Sequence, residues 1–284
     1  MDGREPDRQP IIESTQAEAF AIIGGDVDRG VIVLCDHASN ALPPEYKTLG
    51  LAPSEFARHI AFDIGAENVT RLLAARLAAP AVLSRFSRLL IDPNRGLDDP
   101  TLIMRISDGA VIEGNRHLND AERKRRIARF YAPYHDGIAQ VIDAHRRLGV
   151  VPILVSIHSF TPTWKGTARP WHAGILWDRD PRLAQPLLTS LRAVGHHVGD
   201  NEPYSGVLRG DTLWQHGTQA GLAHAIVEIR QDLIAHKRGQ NEWAATLVTV
   251  IEGLLATPVT ASNLRHVKTF GSRSDPNTKR NDHD

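Results

Sequence analysis

Val31-Ile32-Val33-Leu34-Cys35-Asp36-His37 holds five apolar residues in a row and then stops in an acid and a histidine. The same event recurs in Val151-Pro152-Ile153-Leu154-Val155-Ser156-Ile157-His158, and a third run, Ala225-Ile226-Val227-Glu228-Ile229-Arg230, carries a glutamate beside an arginine. Runs this short, rich in β-branched residues and free of polar alternation, read as strands buried on both faces, and parallel sheets are built from them. Stretches with helical spacing lie between the runs, so strand and helix alternate along the chain. The expected fold class is α/β, a mostly parallel mixed sheet flanked by helices. In open sheets of this kind the ligand crevice lies outside the carboxyl ends of the strands, which is where His37 and His158 are delivered.

The 284 residues, 42% of them hydrophobic, are enough for one substantial core. Basic and acidic residues number 33 each, so net charge gives no reason to expect nucleic acid or an anionic membrane as partner. The single cysteine, Cys35, excludes an internal disulfide framework. No apolar stretch approaches the roughly 20 residues that span a bilayer. Met1–Pro10 is charged and lacks the apolar segment of a signal peptide, so a cytoplasmic setting is expected. Residues 1–14 and 262–284 are polar and read as flexible tails, which leaves 15–261 as a single domain.

Within that span Ile64–Ala79 has helical periodicity, and Ala81–Arg85 and Leu89–Ile91 are short strand candidates. Asp92–Gly96 breaks the chain into a loop. A long helix is expected from Asn119 or Asp120 to about Arg147, with an Asn/Asp cap at its start. Ala173–Trp177 reads as a strand, Pro181–Ala193 as a helix opened by proline, and Asn241–Leu255 as a helix capped by Asn241. The Gly/Pro-containing loop Asp200–Gly206, with Tyr204, suits a substrate lid or a plain turn.

Zinc favours neutral imidazole and carboxylate ligands, and a catalytic site takes three from the protein. Either histidine alone is more simply a hydrogen-bonded structural residue, but two on separate strand ends make a metal site an even alternative. Asp63 stands just before a helix and is equally placed to be a third ligand or the helix N-cap. Asn40 and Asp36 are weaker ligand candidates, and Asp36 is also placed to orient His37. Arg88 and Arg95 carry forks that recognise carboxylates or steady an oxyanion, against the plainer reading of surface ion pairs. Glu228, inside an apolar run, is costly to bury as an anion, so it is either an acid–base group with a raised pKa or the partner of an arginine. Strand alternation puts Arg230 on the same face. His135 reads as a helix-surface residue, and His117, His145, His216 and His236 share no obvious context. Trp164, Trp171, Trp177 and Trp214 either line a pocket or fill core. No phosphate-binding glycine loop and no Gly-x-Ser-x-Gly elbow is present.

Several of these pieces occur together in a known order. Cys35-Asp36-His37-Ala38-Ser39-Asn40 with Pro43-Pro44, Asp63-Ile64-Gly65-Ala66, the stretch from Ser87 to Arg95, Pro133-Tyr134-His135, Ile157-His158-Ser159 and Val227-Glu228-Ile229-Arg230 resemble the N-formylglutamate amidohydrolase family. The likeness runs from about residue 28 to 256, and the order of site residues is also similar to that of zinc carboxypeptidases and aspartoacylases. It implies a zinc-exopeptidase-like sheet and one zinc ion held by His37 and His158. It also implies Glu228 as acid–base residue, Arg88 at the oxyanion, and Asn94 and Arg95 on the substrate carboxylate, with Arg230 as a further substrate contact. Carboxypeptidases place a glutamate three residues after the first histidine, where this chain has Asn40, so Asp63 is taken as the third ligand.

The expected activity is therefore zinc-dependent hydrolysis of a small acidic N-acyl amino acid, N-formyl-L-glutamate in the first place, to formate and glutamate. The alternatives are another zinc deacylase or carboxypeptidase-like peptidase on the same site, or an inactive carboxylate-binding protein on this fold.

Overall fold

The computed structural model describes residues 11–275. The three apolar runs form the centre of an eight-stranded sheet. In chain order its strands are β1 (Thr15–Gln16), β2 (Phe20–Ile23), β3 (Val31–Cys35), β4 (Ala81–Ser84), β5 (Ile153–Phe160), β6 (Ala173–Leu176), β7 (Val198–Asp200) and β8 (His224–Arg230). Across the sheet they lie in the order β7-β6-β8-β5-β3-β4-β2-β1. The central block β8, β5, β3 and β4 is parallel throughout. β6 and β2 flank it and run antiparallel to it. The fold is thus the mixed, mostly parallel α/β sheet expected.

Both faces of the sheet are covered, which is why its central strands show no polar alternation. The covering helices are α1 (Ala66–Leu77), α2 (Ala132–Arg147), α3 (Pro181–Ala193) and α4 (Lys237–Ala256). On one face Leu73, Leu187, Leu247 and Ile251 of α1, α3 and α4 join Val33, Val155 and Val227 in one buried cluster. On the other, Tyr134, Ile138 and Val141 of α2 pack with Ile32, Leu34 and Leu154. Each such aliphatic side chain contributes about 1.5–3 kcal/mol of burial. The α2 face matters most, because Asp36, Ser156 and His158 continue the even-numbered series that faces it.

Four expectations need correction. The helix from Asn119 to Arg147 comes in two α-helical pieces, Asp120–Arg126 and α2, joined by a π-helical turn at Ile127–Tyr131. Asn119 does cap the first piece, accepting from the Glu122 N–H at 2.9 Å. Pro133 accounts for the turn: it offers no N–H to the preceding turn, and one extra residue absorbs the crowding of its ring. Leu89–Ile91 is not a strand; the Leu90 N–H donates to the Ser87 carbonyl at 2.9 Å, and Ser87 Oγ accepts from Leu89, so a serine side chain bends the backbone into a turn. Asn241 is not a cap but lies one turn inside α4, its Nδ2 donating to the Lys237 carbonyl.

The fourth concerns the chain ends. Ile11–Ile12 pairs antiparallel with Gly25–Asp26. Lys268 donates its N–H to Gly221, and Arg273 donates from N and Nε to Asp178. Polar composition hides such contacts, because main-chain pairing and ion pairs require no apolar run. Residues 1–10 and 276–284, also read as tail, lie outside the described residues. Among the described residues no single helix is long and apolar enough to cross a membrane.

Candidate active site

The site assembles at the carboxyl ends of β3, β5 and β8. Register places Leu34 opposite Ser156 and Glu228 opposite His158. Two residues beyond Leu34, Asp36 meets His158, and His37 follows where β3 ends. The chain returns to the same edge when the Asp63 N–H donates to the His37 carbonyl at 2.9 Å. Helix α1 then starts from Gly65, which occupies the left-handed region at φ 83, with no side-chain cap. A Cβ on Gly65 would sit 2.3 Å from the Ile234 carbonyl oxygen, so only glycine makes this turn. Asp63 is thereby released from capping, and its carboxylate points back at the histidines.

One ligand atom from each of His37, Asp63 and His158 can be chosen so that all lie within 4.8 Å of one another, and all three residues are buried. Nδ1 of His158 is 2.9 Å and Nδ1 of His37 3.3 Å from the same oxygen, Asp63 Oδ2. The far nitrogens are engaged elsewhere: His37 Nε2 lies 2.7 Å from Asp92 Oδ1, and His158 Nε2 lies 2.8 Å from Asp36 Oδ2. When each Nε2 donates its proton to its carboxylate and the Nδ1 atoms are deprotonated, both Nδ1 lone pairs point at Asp63 Oδ2. In that state three acceptor atoms face one another in a buried space, an arrangement that suits a cation between them. The donor set of two nitrogens and one carboxylate oxygen fits a metal ion such as zinc.

The supporting acids are buried and multiply bonded. Asp36 accepts from Tyr134 Oη at 2.9 Å, Ser156 Oγ at 2.9 Å and Thr212 Oγ1 at 2.6 Å as well as from His158. Burial alone would raise its pKa, but these donors and the histidine charge hold it well below the usual carboxylate range. Asp63 and Asp92 are likewise held low against the pull of burial, Asp63 chiefly by His37 and Asp92 chiefly by Arg88. Burial pulls His158 down, and its bonds to Asp36 and Asp63 outweigh that and raise it well above the ordinary value. Asp36 therefore orients His158, not His37; His37 is oriented by Asp92.

Over this cluster lies a cavity of about 450 Å³ whose walls include Arg88, Asn94, Arg95 and Glu228. Arg88 Nε and Nη2 donate to Asp92 Oδ2 at 3.0 and 2.6 Å, with Nη1 3.6 Å from Asp63 Oδ1. Asn94 Oδ1 accepts from the Thr212 N–H at 3.0 Å, so its Nδ2 remains a donor. Arg95 is anchored through Nε to Thr101 Oγ1 and through Nη1 to the Asn94 carbonyl, and pairs with no acid among the described residues. Glu228 is 7% exposed, and its Oε2 has no hydrogen-bond partner. Burial, reinforced by Asp63, pushes its pKa up to about 7, against the opposing pull of His158, His37 and Arg88. A carboxylate poised there can both take and return a proton near neutral pH.

Not every expected residue arrives. Arg230 spends its fork on Asp232, at 2.8 and 3.2 Å, and on the carbonyls of Arg169, Pro170 and Trp171; it neither pairs with Glu228 nor borders the cavity. Arg230 is the last residue of β8, still in register opposite Phe160, but its fork is drawn to Asp232 and these carbonyls. Asn40 is exposed and donates to the Phe56 carbonyl. His135 is buried, not on the surface: its Nδ1 lies 2.9 Å from His216 Nε2 and its Nε2 3.0 Å from the Pro93 carbonyl. None of the four tryptophans borders the cavity, whereas Tyr204 and Ser205 of the Asp200–Gly206 loop do. Two further acids reach this site. Asp92 reads in the sequence as part of a loop, although an acid four residues after an arginine is a usable signal of an ion pair; Asp211, also on the cavity wall, carries no sequence signal.

A family model described as N-formylglutamate amidohydrolase matches residues 29–235, a span that contains every site residue named above. This chain belongs to the N-formylglutamate amidohydrolase family. It is accordingly an amidohydrolase, a hydrolase of amide bonds. A gene product of Agrobacterium tumefaciens with a crystal structure is 34% identical, with a TM-score of 0.80, over 86% of this chain and 97% of that one. The N-formylglutamate amidohydrolase of Ralstonia eutropha JMP134 is 22% identical, with a TM-score of 0.60, over 87% of this chain and 98% of that one, a likeness of fold. Comparison with curated protein sequences gives no match.

Proposed function

We propose that this protein is a zinc-dependent amidohydrolase that removes the acyl group of an N-acyl amino acid, with N-formyl-L-glutamate, the compound in the family's name, as reference substrate. The observation that carries the reading is the convergence of His37 Nδ1, His158 Nδ1 and Asp63 Oδ2 beside an unpartnered, buried Glu228. His37, Asp63 and His158 would hold the ion, which supplies Lewis-acid polarisation and makes water acidic enough to lose a proton near neutral pH.

The chain's own groups do the rest. Arg95, free of any acid partner, and Asn94 Nδ2 grip the substrate's α-carboxylate bidentately and fix the amide over the metal-binding residues. Glu228 Oε2 accepts a proton from the attacking water and returns it to the amide nitrogen as the C–N bond breaks. Arg88, locked by Asp92, offers Nη1 to the oxygen that gains charge during attack; its rigidity means little reorganisation is needed at that moment. The partner is a small anion, and the proposed setting is the cytoplasm.

The test is formate release from N-formyl-L-glutamate together with metal content, before and after chelation and zinc restoration. About one zinc per chain with activity that follows the metal is expected. Formate release untouched by chelation would overturn the zinc assignment. Metal without turnover of any N-acyl amino acid would leave a carboxylate-binding protein on this fold.

A further inference from the structure

One wall of the cavity is used by none of the roles above. Asp211 is 3% exposed and borders the same cavity as Arg95 and Glu228. Its Oδ1 accepts from the Trp214 N–H at 2.6 Å, and its second oxygen has no hydrogen bond among the described residues. The segment is pinned to the site: next to Asp211, the Thr212 N–H donates to Asn94 Oδ1 and Thr212 Oγ1 to Asp36 Oδ1. Leu176, Leu208 and Ile226 share with Asp211 both the main cavity and a small void of about 10 Å³. The result is a sleeve of apolar side chains around the Asp211 carboxylate, in the same cavity as Arg95.

Charge accounting then limits what enters the sleeve. Of the two guanidinium groups on the cavity wall, Arg88 is committed to Asp92 and Arg95 to the α-carboxylate. The other carboxylates on that wall are Asp63, turned to the histidines, and Glu228. Burial pushes the Asp211 carboxyl up to about 7, so above that pH a second carboxylate at the end of the substrate's side chain would meet an anion with neither guanidinium free to balance it, which a buried site resists strongly. A donor such as a side-chain amide would satisfy the open oxygen of Asp211, and its presence favours the ionised form.

We propose that Asp211 is the specificity residue for the far end of the substrate's side chain. It selects N-acyl amino acids whose side chain ends in a hydrogen-bond donor, as glutamine does, over those ending in a second carboxylate. This rests on the amidohydrolase reading of the same site and narrows its substrate. A site built to satisfy a buried polar group rejects the analogue that leaves it unpaired.

The experiment compares kcat/KM for N-formyl-L-glutamine and N-formyl-L-glutamate at pH 8, where Asp211 is ionised, in the zinc-loaded wild type, in Asp211→Asn and in Asp211→Ser. Asparagine keeps an oxygen for the Trp214 N–H and presents an N–H to a carboxylate. The wild type should favour the glutamine compound by about tenfold or more, and Asp211→Asn should lower that ratio by at least about tenfold. Because both substrates are read in one preparation, partial misfolding does not move the ratio. Calorimetric binding of free glutamine and glutamate should show the same order. A wild type that prefers the glutamate compound, or a ratio unmoved in both variants, overturns the role of Asp211 and leaves the amidohydrolase reading intact. Formate release from neither compound removes that reading and this inference with it.

Discussion

At the scale of single residues, Glu228 answers two opposing demands. Its carboxyl is buried without a partner for Oε2, which makes it a good base and a poor contributor to stability. The folded pKa of about 7 lies above the ordinary value of 4.5, so the folded state binds more protons than the unfolded chain between those two pH values. Stability contributed by the neutral acid is complete at low pH and is lost as pH rises through about 7. Glu228→Gln should therefore abolish turnover, by at least about a hundredfold in kcat. It should also raise the Tm of the metal-free protein at pH 8, by up to about 3 kcal/mol in stability, and leave it nearly unchanged at pH 4. Thermal scans at the two pH values check this, and a variant less stable than wild type at pH 8 would contradict it. Arg230 gives the reverse case. Its donors close the carbonyls of Arg169, Pro170 and Trp171, so Arg230→Ala should lower Tm and leave KM where it is, measured on the same substrate.

At the scale of elements, Asp36 is the junction. It ties β3 to β5 through Ser156 and His158, to α2 through Tyr134, and to the Thr212 segment. Asp36→Asn keeps the shape but supplies an amide where donors converge, so zinc affinity should fall about 10- to 100-fold, read by competition with a chelator. Asp36→Ala strands several buried donors and should cost about 3–5 kcal/mol in denaturant unfolding. This junction also explains what was legible in the sequence. β3, β5 and β8 announce themselves because strands buried on both faces leave uninterrupted apolar runs, and their ends carry His37, His158 and Glu228. Asp63 was readable only as a choice between cap and ligand, since the turn at Gly65 that decides it depends on the distant Ile234 carbonyl. Asp92 and Asp211 reach the site through a buried turn and an irregular segment, where periodicity says nothing of direction. The same holds for the His135–His216 contact, which joins residues 81 apart in sequence.

At the scale of the whole molecule, the candidate metal site is a measure of folding. Its ligands come from the end of β3, the turn before α1 and the end of β5, so the unfolded chain cannot hold them within 4.8 Å of one another. An ion that binds only the folded state stabilises it by mass action, about 2.7 kcal/mol at a hundredfold excess over Kd. Zinc added to metal-free protein should thus raise Tm, and His158→Ala should lose that increment. The pH dependence of the increment has a definite sign. Without metal, His158 holds its proton with a raised pKa, and the stability from that proton is present at low pH and lost as pH rises through the folded value. Zinc needs the Nδ1 atoms bare, so binding must displace protons, and the displacement costs less as pH rises. The rise in Tm on adding zinc should therefore be larger at pH 8 than at pH 6. An increment that is independent of pH, or that persists in His158→Ala, would mean that zinc binds somewhere other than between the two strands the sheet brings together.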